Sequence, residues 1–421
     1  MIEHVFRSAH VVRRLRGRRL GSALDEFVVY LSERGHADST IQQYVQGVEH
    51  FDGWLRRNHR AVGAVDERVV DNFLKRHLPR CKCPPPCSTS LHQVRTALHH
   101  LLYVLRETGR VCAPKAEVRI AEKIVKEFTT HLRDSRGAAN ATCIASARYV
   151  REFLAQQFGE DDVDFFGIEP GAIVRFFAAR GGRWSPGSMK VAATSLRRFF
   201  RYLQMIGRAD TRLAHAVPKI AGWKLASVPR ILTDAQVAAL LASFDRSTPV
   251  GLRGYATTMC LARLGLRACE VSALTLDDIN WRAGTITIPA TKTKRADVLP
   301  LPAPVARAIV AYLRRGRPVV STRQIFVRHS TPMGATGPGI VRAAVRDAGA
   351  RAGLGAAFAT GAVGPNVLRH TVATRLLRSG STMKDVADVL RHRSIDTAAI
   401  YAKVDVGALR KVAAPWPGRT R

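Results

Sequence analysis

The stretch SLHQVRTALHHLLYVLRETG, residues 90–109, returns in altered form as SMKVAATSLRRFFRYLQMIG at residues 188–207. Leu98, Leu101 and Leu105 align with Leu196, Phe199 and Leu203. Both copies therefore place apolar residues at i, i+3 and i+7, one face of an α-helix, and both stop at a glycine. The correspondence extends outward. VVDNFL (69–74) matches AIVRFF (172–177), and Phe27, Leu31, Thr40, Val48 and Phe51 match Phe128, Leu132, Thr142, Val150 and Phe153 in the same order. Four shared elements at a near-constant offset predict two tandem four-helix modules, at 21–112 and 119–215. VCAPKAEV (111–118) and AVPKIAGWKLASVPR (216–230) are rich in proline and small residues and read as linkers. Residues 1–20, with Arg13, Arg14, Arg16, Arg18 and Arg19, read as a basic arm that orders on meeting phosphate.

The pattern changes in the third domain, 228–421. ILTDAQVAALLASF (231–244) predicts a helix with Thr233 or Asp234 near its cap, and YATTMCLARLGL (255–266) predicts another, ending just before Arg267. GTITIP (284–289) alternates with period two, ATKTKRA turns, and DVLPLP (297–302) returns, which predicts a hairpin. Asp277 and Asp278 are expected to shape the turn before it. Helices follow to Tyr401. The expected fold class is mainly α with a small antiparallel sheet, α+β in the last domain.

The chain has 421 residues, 66 of them Lys or Arg against 33 Asp or Glu, a net charge of +33. A GC-rich coding bias explains arginine over lysine but not basic over acidic, so the charge points to a polyanion, and nucleic acid releases counterions when its phosphates are neutralised. An anionic membrane surface is a poorer fit, because no basic amphipathic anchor stands out. No apolar run approaches a membrane span and no signal peptide is recognisable at the start, so a cytoplasmic location is expected. Seven cysteines, an odd number and mostly scattered, fit a reducing compartment. Cys81, Cys83 and Cys87 do cluster, in RCKCPPPC, with His77 and His92 nearby. Three thiols could hold zinc, but C-x-C-x3-C matches no standard ligand spacing, and neither a metal site nor a cofactor is expected.

NVLRHTVATRLL (366–377) followed by VLRHRSIDTAAIY (389–401) places Arg369, His392 and Tyr401 close together in sequence. Arginine neutralises phosphate with a planar fork of donors, histidine donates to a developing oxyanion, and tyrosine supplies an oxygen that can be held covalently. Those are the parts needed to attack a phosphodiester without a metal. On SLRRFFRYL, Arg197, Arg198 and Arg201, with Lys190 one to two turns earlier, point charge away from the apolar face and are candidates for phosphate or groove contact.

Residues 231–416 resemble the catalytic domain of the tyrosine recombinases, also called phage integrases. The resemblance rests on LARLGLRACEVSALTLDDINW around Arg267, TKTKRADVLPL around Lys292, GPNVLRHTVAT around Arg369, VLRHRS around His392 and AAIYAKVD around Tyr401. The modules ahead of it resemble, more weakly, the family's helical SAM-like core-binding domain, here duplicated. The resemblance implies site-specific cleavage and rejoining of double-stranded DNA through a 3′-phosphotyrosyl intermediate. It further implies a multimer on paired sites, alone or with other recombinases, and a C-shaped clamp about the duplex.

Within that frame Tyr401 is the nucleophile, activated because neighbouring cations stabilise its phenolate. Arg267 and Arg369 fork onto non-bridging oxygens and His392 donates a further hydrogen bond. The expelled deoxyribose oxygen needs a proton that arginine does not give up. Lys292 and Lys294, both on the hairpin turn, are the sole lysines between residues 225 and 383. Lys292 matches the family's hairpin lysine, and Lys294 is left for DNA contact. Glu270, three residues past Arg267, is expected to orient that guanidinium. His370 resembles a packing residue and, next to Arg369 on a helix, should point elsewhere.

Two departures stand out. Asn366 occupies the histidine position of the family's H-x-x-R, and Arg391 replaces the glycine of its usual Leu-Gly-His. Asparagine can bond a phosphate oxygen but cannot accept a proton. A second reading follows: a catalytically weak relative that binds DNA or a partner recombinase.

Overall fold

Apolar residues at helical spacing fold into helices along most of the chain, and their buried faces build separate cores. The computed structural model describes residues 2–83, 88, 90–112, 120–159, 164–221, 229–288, 297–359, 363–391 and 399–402. It divides into two compact units, one comprising residues 1–112 with 227–421 and the other residues 113–226.

The N-terminal core is formed by α1 (Ile2–Val5), α2 (Ala9–Arg16), α3 (Gly21–Glu33), α4 (Asp38–Arg57), α5 (Glu67–Asn72) and α6 (Leu91–Glu107). After α5 the chain loosens into a π-helical turn, Phe73–His77, and a 3-10 turn, Leu78–Arg80. Residues 2–20 correct the expectation of a poorly ordered arm. Ile2, Val5, Val12, Leu15 and Leu20 are buried in one cluster with Phe27, Phe51 and Phe73. Arg14 and Arg18 each lie 3.1 Å from Oε1 of the buried Glu49. The backbone N–H groups of Ile2 and Leu20 donate to Asp25 and Asp52, both at 2.9 Å. Burying the apolar stripe outweighs solvating the arginines, since several of them find carboxylates at no loss of packing.

The second unit repeats the helical order: α7 (Ile120–Asp134), α8 (Asn140–Phe158), α9 (Pro170–Ala178) and α10 (Pro186–Met205), closed by α11 (Thr211–Ala216). Phe128, Val150, Phe153, Leu196, Phe199 and Leu203 are buried, as are their counterparts Phe27, Val48, Phe51, Leu98, Leu101 and Leu105. Gly109 (φ 68) and Gly207 (φ 70) both turn left-handed, and the next N–H, of Arg110 and Arg208, reaches back to Leu105 and Leu203 at 2.9 and 2.8 Å. The same helix stop is thus used twice.

The third core begins with α12 (Asp234–Ala242), capped by Thr233, whose hydroxyl accepts from the N–H of Gln236 at 3.2 Å. Then come α13 (Pro249–Leu264) and α14 (Ala268–Ala273). A three-stranded antiparallel sheet follows, β1 (Ile279–Asn280), β2 (Thr285–Ile288) and β3 (Asp297–Pro300), in the order β1-β2-β3. Thr285 pairs with Pro300 and Ile288 with Asp297, which is the expected hairpin; its turn lies outside the described residues. Asp278 accepts from the N–H and hydroxyl of Thr275 at 2.7 and 2.8 Å and so shapes the turn into β1, whereas Asp277 pairs with Arg323. Helices α15 (Ala303–Arg315), α16 (Pro338–Arg351), α17 (Ala356–Ala359), α18 (Asn366–Arg378), α19 (Met383–Val389) and α20 (Ala399–Ala402) complete it. A smaller cluster of Val372, Ala373, Val386, Ala387, Leu390 and Tyr401 joins α18, α19 and α20. No helix among the described residues is long and apolar enough to cross a membrane.

Candidate active site

Helix α13 ends at Gly265, whose φ of 61 lies in the left-handed region. A Cβ there would stand 2.6 Å from Cδ2 of Leu390 and 3.4 Å from Cγ1 of Val372, so the turn needs a residue without a side chain. The reversal buries Leu266 and delivers Arg267 to the N-cap of α14. Glu270, one turn on and 3% exposed, accepts from the Arg267 N–H at 2.7 Å and from its Nη1 at 2.6 Å. The expected orientation of Arg267 by Glu270 is therefore present. Part of it is a helix-capping bond that fixes the backbone as well as the guanidinium.

A second cation shares this carboxylate. Arg391 donates from Nη2 to Glu270 Oε2 at 2.7 Å, with its side chain 8% exposed. Its φ is 54, a left-handed conformation that suits the glycine usual at this position and costs an arginine about 1–2 kcal/mol. Burial pushes the Glu270 carboxyl upward, but the Arg267 N–H, the Arg391 charge and the Arg267 guanidinium outweigh it and hold the group below its usual value.

Arg369 lies on the first turn of α18, 5% exposed. Its Nη1 donates to the carbonyl of Gly265 at 2.5 Å and its Nη2 to that of Leu390. The glycine turn that presents Arg267 thus also holds Arg369, and α13, α18 and the end of α19 meet at these two bonds. Burial, reinforced by the Arg267 charge, pulls Arg369 down to about 10, which leaves it protonated at neutral pH.

Tyr401, 2% exposed on α20, reaches the same group of residues, and its hydroxyl lies 3.1 Å from Nδ1 of His370. The ring centroids are 5.5 Å apart. His370, expected to point elsewhere than Arg369 and to pack, is the residue of α18 that meets the phenol, because α20 packs against α18. Burial raises the Tyr401 phenol above its usual value despite the opposing charges of Arg369 and Arg267. Burial, then the Arg369 charge, lowers His370. The resting pair is accordingly neutral phenol and neutral imidazole.

A cleft of about 800 Å³ opens beside Arg267 and His370, lined also by Asn366, Arg230, Arg342 and Arg346. Asn366 starts α18 and is exposed. Arg342 and Arg346 stand one turn apart on the exposed face of α16, opposite the buried Val341 and Val345. Sequence reasoning passed over both, although VRAAVR (341–346) carries the signal in its valine and arginine pairs at i, i+4. The cleft has four guanidinium groups on its walls, suited to a polyanion. Lys292, Lys294 and His392 lie outside the described residues.

In the second module Lys190, Arg198 and Arg201 are exposed along α10 as expected. Arg197 is not turned outward. Its Nη2 donates to the carbonyls of Val217 and Pro218 at 3.1 and 3.2 Å, tying down the end of the module after α11.

The chain is similar to known proteins over most of its length. The phage integrase family model matches residues 230–407, and that of the phage integrase N-terminal SAM-like domain matches residues 24–109. A putative integrase/recombinase of Sinorhizobium fredii (strain NBRC 101917 / NGR234), y4rA, is 34% identical over 400 residues, covering 94% of each chain. Tyrosine recombinase XerD of Mycobacterium tuberculosis (strain ATCC 25618 / H37Rv) is 30% identical over 313 residues, 69% of this chain and 95% of its own. The fold is similar to that of the XerH site-specific recombinase bound to palindromic difH substrate, with a TM-score of 0.52 at 19% identity over 75% of this chain and 88% of that one. The chain belongs to the phage integrase family, the tyrosine recombinases. It is an enzyme that breaks and rejoins DNA, a site-specific recombinase, and this membership does not favour the binding-only reading.

Proposed function

We propose that Tyr401 is the nucleophile of this recombinase and that His370 takes its proton. The observation that carries the reading is the 3.1 Å contact between the Tyr401 hydroxyl and His370 Nδ1, beside Arg369. The phenolic oxygen attacks the scissile phosphorus while its proton passes to the imidazole. The bond from phosphorus to the 5′-oxygen breaks, leaving a 3′-phosphotyrosyl link and a 5′-hydroxyl. Lys292 protonates that leaving oxygen, and Arg267, Arg369 and His392 bear the charge of the pentacoordinate transition state. Asn366 donates its amide to a phosphate oxygen. Religation runs the same steps backward, and the tyrosyl ester conserves the energy of the broken linkage.

With the phenol 2% exposed, a phosphodiester does not reach it in this arrangement, and Arg369 has two of its five N–H donors on backbone carbonyls. DNA entering the arginine-lined cleft shifts α20 to expose the phenol before chemistry. Lys190, Arg198, Arg201 and Lys294 are assigned to DNA contact. A multimer on paired sites, with DNA-bound dimers and tetramers of lambda integrase as the comparison, and action in the cytoplasm complete the proposal.

The test is a nicked duplex that traps the covalent intermediate. Wild type is expected to form an SDS-resistant adduct that Tyr401→Phe does not form. If Asn366 makes the enzyme a poor cutter, Asn366→His raises the yield of adduct by orders of magnitude. With His370 serving as the base, that substitution changes it little.

A further inference from the structure

We propose that the N-terminal module binds a structural zinc ion through His50, His77, Cys81 and Cys83. The ligating atoms of these four side chains all lie within 4.8 Å of one another. Tetrahedral zinc, with bonds of about 2.0 Å to nitrogen and 2.3 Å to sulfur, sets its ligands roughly 3.3–3.8 Å apart. His50 Nε2 and His77 Nε2 are 3.3 Å apart, His77 Nε2 and Cys83 Sγ 3.7 Å, and His50 Nε2 and Cys81 Sγ 3.1 Å. Two imidazoles and two sulfurs form a donor set that selects zinc among the common divalent ions.

The surroundings are those of a ligand set. His50 is 4% exposed, and its Nδ1 faces the carbonyl of Ser88 at 3.0 Å. A carbonyl only accepts, so Nδ1 carries the hydrogen and Nε2 turns its lone pair toward the other three groups, the outer bond that orients a metal-bound histidine. The N–H of Cys83 donates to Cys81 Sγ at 3.2 Å, and Arg57 Nη2 approaches Cys83 Sγ at 2.8 Å. Both contacts set a donor against a sulfur. A cation satisfies all four groups at once.

The ligands come from two places in the chain. His50 sits on the buried face of α4, while His77 closes the π turn after α5 and is followed, past the 3-10 turn, by Cys81 and Cys83. The π turn is what brings His77 within reach, as both imidazoles stand against Phe73, with centroids 5.2 and 5.3 Å away. His92, the other histidine near the thiols in sequence, is exposed on α6 and is not part of the cluster. Zinc here would pin the connection between α5 and α6 to α4 and displace thiol protons to solvent on binding. It needs no part in strand cleavage, and the inference is independent of the roles assigned to Tyr401 and His370.

The test is elemental analysis of the full-length protein, purified without added chelator and dialysed against metal-free buffer. About one zinc per chain is expected. The double variant Cys81→Ser/Cys83→Ser should lose it, while Cys143→Ser, on α8, should keep it. Exchange with cobalt should give a thiolate-to-metal charge-transfer band, and removal of the ion by a thiol reagent and chelator should lower the melting temperature of wild type. Substoichiometric zinc in wild type, zinc retained by the double variant, or a wild-type mass lighter by two hydrogens from a disulfide at these cysteines would each overturn the proposal.

Discussion

Glu270 holds Arg267 and Arg391 together, and its removal is the sharpest single change available. With Glu270→Ala, Arg391 is left with a buried charge and Arg267 loses both its orientation and a capping bond. Removing one partner of a buried ion pair costs about 3–5 kcal/mol, and the partial exposure of Arg267 places this case near 3 kcal/mol. Urea denaturation measures it. The carboxyl is held below its ordinary value of 4.5, so its contribution is complete above that pH and is lost as pH falls through the folded value. The stability gap between wild type and Glu270→Gln should accordingly be constant at neutral pH and close in acid. His370 gives a second test. If it accepts the phenolic proton it must be neutral, and because burial and Arg369 lower it, the acid limb of the cleavage rate should lie below pH 6.5. His370→Gln should slow cleavage on the order of 10²–10⁴-fold and remove that limb. A purely structural histidine would leave the shape of the profile intact.

The elements show what sequence could and could not disclose. The repeated helix order, the hairpin and the helix stops were legible because periodicity, alternation and glycine are local signals. The folding of residues 1–20 was not: a run of five arginines masked Val12 and Leu15, and the compensating Glu49 lies more than 30 residues away. Arg267, Arg369 and Tyr401 could be named from their motifs, but the His370 contact depends on how α20 lies against α18, which no local pattern encodes. Arg391 looked like an unexplained substitution until its backbone conformation and its tie to Glu270 were seen together. The turn between α13 and α14 carries a prediction of its own. Gly265→Ala would impose a left-handed conformation costing about 1–2 kcal/mol and would press on Leu390, whose carbonyl holds Arg369. Lower stability and slower cleavage with DNA affinity retained is the expected outcome, read by thermal melts, adduct formation and mobility shift.

For the whole molecule the net charge of +33 predicts binding to DNA that weakens steeply with salt. Replacing Lys190, Arg198 and Arg201 by alanine should lower affinity alike for all sequences and reduce the salt slope by about three, roughly one per phosphate contact. Arg197→Ala should instead lower the stability of the second module, since it bonds Val217 and Pro218. The central claim is that this chain joins itself to DNA through Tyr401. The most direct measurement is to incubate it with a library of nicked duplexes, isolate SDS-resistant complexes and identify the modified peptide by mass spectrometry. The account predicts a 3′-phosphonucleotide on Tyr401 and no complex with Tyr401→Phe. An adduct on another residue, a complex that persists in the phenylalanine variant, or no complex from wild type across the library would contradict it.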